Sequence, residues 1–164
     1  RATEPFHPLE IAYRFLLANG ITTLSLGADK AEDFLIPMKL ANATEKLSNL
    51  ELKVLSNIDD EANKRLKTSK CEQCRACMPC PSEVPIPEIL RLRNISIGNG
   101  QIEFAKERYN LIGRAGHWWE VKNGNDCNGC NFCISKCPHN LNIPNLLIET
   151  HNMLAEKPKR RLWG

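Results

Sequence analysis

The sequence predicts a mostly α-helical protein in two parts, a short α/β segment over residues 1–68 and a helical region over residues 69–164 organised around cysteine loops. Three observations carry this expectation. Apolar residues recur at helical spacing along most of the chain. One short run, residues 21–26, is instead β-branched, apolar and bounded by Gly20 and Gly27. Finally, all eight cysteines fall after residue 70, in two copies of one unit.

Taken in order, Pro8 opens a run in which Leu9, Ala12 and Leu16, with Ile11 and Phe15 beside them, fall at helical spacing. This predicts a helix over residues 8–19, with Gly20 where a C-cap belongs. Residues 21–26 read as a buried strand, Gly27 to Lys30 as a loop, and residues 31–42 as helical but interrupted by Pro37. Ser48 with Glu51 three residues later is a capping box. Leu47, Leu50, Val54 and Ile58 then mark one face of a helix expected to reach about Lys67, where Lys64, Arg65 and Lys67 complement the helix dipole. Between the cysteine units, Ile102, Ala105, Tyr109 and Ile112 predict an amphipathic helix ending near Gly113 or Gly116.

With 164 residues the chain suits one domain or two small ones. It is too short for a complete (β/α)₈ barrel, which takes about 250 residues. Hydrophobic residues at 42% and charged residues at 25% match a soluble protein, and no apolar run approaches the roughly 20 residues that span a bilayer. Residues 1–8 lack the features of a secretory signal, so a cytoplasmic location is expected. A start at Arg1 rather than Met leads us to expect a trimmed or partial chain.

The repeat is the strongest signal. Cys71, Cys74 and Cys77 recur 56 residues later as Cys127, Cys130 and Cys133. Cys80, Pro81, Ile86, Pro87 and Leu90 recur 57 later as Cys137, Pro138, Ile143, Pro144 and Leu147. Three thiolates at two-residue gaps can wrap three corners of an iron-sulfur cubane from one turn of chain, leaving backbone N–H groups to point at the sulfurs. The fourth corner then needs a ligand from elsewhere, and a proline after the last cysteine turns the chain away into an extended path. Both runs are close to that of two-cluster ferredoxins, in which the fourth cysteine serves the other cluster. That likeness implies two 4Fe-4S clusters with crossed ligation: Cys71, Cys74, Cys77 and Cys137 on the first, Cys127, Cys130, Cys133 and Cys80 on the second. The first motif has one residue fewer before its last cysteine, which leaves the partner of Cys80 more open.

Two other uses of eight cysteines stand beside this one. Disulfides suit secreted proteins, and residues three apart rarely pair with each other. Zinc also takes four thiolates, but its modules generally separate two Cys-x₂-Cys knuckles by a longer loop. The formal charge of +3 counts the thiols as neutral. Each oxidised cluster with its four thiolates carries about two negative charges, so the loaded protein sits near −1, and the charge is no sign of nucleic-acid binding.

The segment Cys71-Glu72-Gln73-Cys74-Arg75-Ala76-Cys77-Met78-Pro79-Cys80-Pro81, continuing to Val84-Pro85-Ile86-Pro87-Glu88, resembles the ferredoxin-type tail fused to one branch of the aldo/keto reductase family. Upstream, Pro8-Leu9-Glu10-Ile11-Ala12 through Leu17, then Gly20 to Gly27, is similar to that family's last barrel segment: a helix, the eighth strand and a glycine loop at the nicotinamide phosphate. The resemblance implies a parent oxidoreductase whose catalytic Asp, Tyr, Lys and His precede residue 1. It maps only Gly27, Ala28, Asp29 and Lys30 onto a cofactor edge, for NADP completed by the missing barrel. The loop departs from the family pattern at Asp29, in place of an Arg, and at Pro37, in place of an adenine-contacting Asn. The long helical insert between the motifs resembles the α-helical ferredoxin domain of succinate dehydrogenase iron-sulfur subunits.

His7, His117, His139 and His151 are unneeded as ligands beside eight thiols and read as surface or packing residues, although His139, two residues after Cys137, could tune a cluster. Trp118 and Trp119 read as a cover that keeps water from a cluster. The tail from Lys157 through Lys159, Arg160 and Arg161 to Gly164 reads as a solvated end, with docking on an acidic carrier as the other use. The leading expectation is an electron-transfer module of an aldo/keto-reductase-like oxidoreductase that meets a redox partner protein, with no nucleic acid and no membrane span. A free-standing adaptor without a catalytic site, and clusters acting only as structural staples, are the other two.

Overall fold

The structure, a computed structural model, describes residues 2–115 and 120–157. The described residues are mostly helical. The α-helices are α1 (Pro8–Ala18), α2 (Leu35–Leu40), α3 (Asn49–Leu66), α4 (Ile86–Gly98), α5 (Ile102–Tyr109) and α6 (Ile143–Leu154). The chain divides into two compact units, Arg1–Asp60 and Glu61–Gly164, with the boundary inside α3.

In the first unit, Pro8 begins α1 as expected, and the Nδ1 of His7 caps it by accepting the N–H of Leu9 at 3.2 Å. Gly20, at φ +86°, takes the left-handed conformation that lets the chain leave the helix. The expected strand does not form: residues 21–28 run without strand pairing. A strand is one side of a hydrogen-bonded ladder, and the described part of this unit supplies only helices and turns beside it. Pro37 does not interrupt its helix either. It is the third residue of α2, where the missing N–H would have had no intrahelical acceptor.

The capping box closes as read. Ser48 N–H donates to Glu51 Oε2 at 2.6 Å, and Glu51 N–H donates to Ser48 Oγ at 3.2 Å. On the expected face of α3, Val54 is buried and Ile58 half-buried, but Leu50 is 49% exposed and Glu51, at 6%, is buried in its stead. The cause is Arg14 on α1, whose Nε donates to Glu51 Oε1 at 2.8 Å. The same guanidinium donates to the carbonyls of Ala43, Glu45 and Lys46, tying down the chain before α3. The apolar core here is small. Ile11, Leu40 and Val54 are buried, whereas Phe15, Phe34, Leu35 and Met38 are exposed.

The second unit has the larger core. Val84, Ile86, Ile89, Leu90 and Leu92 from α4 and its approach meet Ala105, Tyr109 and Ile112, and also Leu141, Ile143, Leu147 and Leu154. α4, α5 and α6 all pack on one another. α5 ends at Tyr109, earlier than predicted, although a turn carries Ile112 into the core. Asn110 stops it: its Nδ2 donates to the carbonyls of Lys106 (2.7 Å) and Leu154 (2.9 Å), while its Oδ1 accepts the N–H of Glu156 at 2.9 Å. One side chain thus joins the end of α5 to the end of α6. Gly116, His117, Trp118, Trp119 and the tail after Lys157 lie outside the described residues.

Candidate functional site

The two cysteine loops share one backbone conformation. Gln73 and Arg75 have φ of +58° and +61°, and their counterparts Gly129 and Asn131 have +69° and +62°. Further on, Glu83 at +59° matches Asn140 at +53°. Three left-handed positions per copy, most of them not glycine, cost of order 1 kcal/mol or more each and persist only where the surroundings enforce them. Turn hydrogen bonds repeat as well. Met78 N–H to Arg75 C=O and Ile134 N–H to Asn131 C=O are both 3.0 Å. Glu83 to Cys80 (2.9 Å) is echoed by Asn140 to Cys137 (3.1 Å). Successive residues of this kind turn their N–H groups to one side and form a concavity suited to anions such as cluster sulfurs.

Burial follows the repeat cysteine by cysteine. Cys77 and Cys133 are buried in the core, Cys71, Cys127, Cys80 and Cys137 are half-buried against it, and Cys74 and Cys130 are exposed. Each loop is followed by a buried aliphatic pair, Val84 and Ile86 or Leu141 and Ile143, and then by α4 or α6 with proline as its second residue.

The last cysteine of each copy lies near the other copy's thiols. Cys71 is within electrostatic reach of Cys74 and Cys137. Cys133 feels Cys127, Cys80 and Cys130. Cys77 feels Cys71, Cys133 and Cys74, so the two buried thiols also lie near each other. Burial pushes up the thiols of Cys71, Cys77 and Cys133, that of Cys77 to about 11, and neighbouring thiolates add to the rise. Donors oppose it: the backbone of Gln73 for Cys71, and the own N–H groups of Cys77 and Cys133. Thiolates gathered in this way call for cationic charge, and a bound metal inverts the balance. Among the described residues no three His, Cys, Asp or Glu side chains come close enough to hold one metal ion.

Residues beyond the cysteines hold the loops in place. Asn94 on α4 donates from Nδ2 to the Cys71 carbonyl at 2.7 Å and accepts the Cys71 N–H at 3.4 Å. Arg93 beside it donates to the Ser69 carbonyl at 3.1 Å and to Ser69 Oγ at 3.2 Å. In the second copy the residue 57 positions after Asn94 is His151, whose Nδ1 lies 2.8 Å from the Tyr109 hydroxyl. That hydroxyl accepts the N–H of Gly124 at 3.0 Å, three residues before Cys127. A Cβ on Gly124 would stand 2.6 Å from the Leu147 carbonyl, so only glycine fits beneath α6. His151 therefore has a packing role, and His139 is exposed. The 57-residue offset could have drawn attention to Asn94 and His151 as a pair, but their different chemistries concealed it.

Gly27, Ala28, Asp29 and Lys30 are all exposed. The N–H groups of Asp29 and Lys30 donate to Asp33 Oδ2 at 3.0 and 3.2 Å. A nucleotide phosphate seeking those donors would have to displace a carboxylate. A cavity of about 260 Å³ in the same unit is lined by Tyr13, Leu17, Thr22, Thr23 and Leu24 among others, and none of the four loop residues lines it.

The described residues define a mostly α-helical protein with two cysteine loops of matching backbone conformation. Compared with protein-family models, curated proteins and solved structures, the chain gives no match.

Proposed function

We propose that the chain is an electron-transfer module holding two 4Fe-4S clusters, one on Cys71, Cys74, Cys77 and Cys137, the other on Cys127, Cys130, Cys133 and Cys80. The observation that supports this reading is the shared backbone conformation of the two cysteine loops, with Cys137 an electrostatic neighbour of Cys71 and Cys80 one of Cys133. Zinc modules generally separate two Cys-x₂-Cys knuckles by a longer loop, whereas here the thiols follow one another at two-residue gaps. When bound, each cluster takes up or releases one electron. The chain supplies the rest: N–H groups turned toward the sulfurs, an aliphatic core that keeps water from Cys77 and Cys133, and exposed edges at Cys74 and Cys130 where a partner's carrier can approach. The proximity of Cys77 to Cys133 gives a short route between the two sets.

The likeness of residues 8–27 and 71–88 to an aldo/keto reductase with a ferredoxin-type tail supports a parent oxidoreductase of that kind. In such a parent the nicotinamide would supply two-electron chemistry, and the eight cysteines here would hold two one-electron carriers. The Asp33 carboxylate on the Asp29 and Lys30 amides favours the other reading, an adaptor with no nicotinamide site of its own. Among the described residues no helix is long and apolar enough to cross a membrane.

Anaerobic titration with dithionite tests the electron-transfer role. The expected result is reversible uptake of about two electrons per chain, with an EPR signal shaped by two interacting reduced clusters. A chain that contains iron yet takes up no electrons would leave the clusters a structural role only.

A further inference from the structure

Gln73 and Gly129 occupy the same position in the two loops, both at positive φ. Glycine takes that conformation at little cost, whereas glutamine takes it against steric strain of order 1 kcal/mol or more. The side chain that the first loop retains there is used: Gln73 Nε2 donates to the Cys71 sulfur at 3.3 Å. Gly129, which is exposed, has no side chain to offer Cys127. The backbone N–H of Gln73 also supports the Cys71 thiolate, so this sulfur receives donors from the main chain and the side chain of one residue.

A donor on a ligand sulfur stabilises the form with more negative charge on the cluster, which is the reduced form, and so raises the reduction potential. We infer that Gln73 is a positioning residue that makes the two clusters unequal, raising the potential of the one held by Cys71 above the value its loop would otherwise give. The inference rests on the two-cluster reading above and adds a direction to it. Where that donor leaves the Cys71 cluster the better acceptor, an electron passed from the Cys127 cluster would oxidise that cluster and reduce the Cys71 one, with no change in protonation.

The test uses the full chain with Gln73→Met, which keeps the length and the positive φ but removes the donor, and with Gln73→Gly, which copies the second loop and relieves the strain. Potentiometric titrations followed by EPR read both midpoints. In each variant one midpoint should fall by the equivalent of about tenfold in its reduction equilibrium, which is 59 mV for one electron, and the other should stay. Gln73→Asn, with its amide drawn back by one methylene, should not restore the parent value. If both midpoints stay at their parent values in the Met and Gly variants, the inference falls while the two-cluster reading stands. If the parent chain holds no iron and sulfide, both fall together.

Discussion

Replacing Cys71 and Cys137 together by serine should leave about four iron atoms per chain, whereas replacing Cys71 and Cys127 should leave close to none. In the reciprocal arrangement the first pair serves one cluster, so losing both ligands costs no more than losing that cluster. The second pair serves two clusters and destroys both. Strictly local ligation, with each copy holding its own cluster, makes the first pair remove both clusters and makes Cys71 with Cys80 the pair that spares one. The comparison therefore separates the two topologies without a high-resolution structure of the loaded protein. Iron per chain and the intensity of the cluster absorption band are the measurements. A loss of both clusters in the Cys71/Cys137 pair, with one retained in the Cys71/Cys80 pair, would show that the exchange of Cys80 and Cys137 is not used.

Arg14→Ala should destabilise the Arg1–Asp60 unit by about 3–5 kcal/mol, the usual cost of leaving one partner of a buried ion pair uncompensated. Arg14 and Glu51 side chains are each 8% exposed, and their N···O distance is 2.8 Å. The substitution also strips the donors from the carbonyls of Glu45 and Lys46. With Ile11, Leu40 and Val54 the buried large apolar side chains among its described residues, the unit has little with which to offset such a loss. Urea unfolding of the full chain, followed by amide signals assigned to α1 and α3, measures it. The pair also gives the unit an acid limb. The Arg14 hydrogen bond holds the Glu51 carboxyl below its ordinary value of 4.5. The stabilisation is therefore fully present above that value and is lost as pH falls through the lowered one. In Arg14→Ala this acid limb should shrink, since only the Ser48 donors remain to hold the carboxyl down. An unchanged acid limb would mean that other carboxylates govern it.

What the sequence disclosed and what it withheld divide along a physical line. Patterns fixed by local chemistry were legible: the Ser48/Glu51 box, Pro8 at the start of α1, the glycine after its end, and the 56- and 57-residue repeat, whose prolines were expected first in their helices and stand second in α4 and α6. Features decided by a distant partner were not. Residues 21–26 have strand composition but no ladder to join. Leu50 looked like a core residue until Arg14, 37 positions before Glu51, drew that carboxylate inward instead. α5 stops at Tyr109 because Asn110 finds the Leu154 carbonyl, 44 residues away. At the cysteine loops the repeat was evident from spacing, while the supports of Asn94 and Tyr109, and the amide of Gln73 on Cys71, belong to side chains that carry no motif.

The claim on which all of this depends is that eight thiols are built to hold two cubanes. Iron and acid-labile sulfide in anaerobically purified chain test it most directly. About eight of each per chain, with Cys71, Cys74, Cys77, Cys80, Cys127, Cys130, Cys133 and Cys137 all protected from alkylation, is the predicted result. Two zinc ions and no sulfide, or a fully folded chain that binds neither, would contradict it.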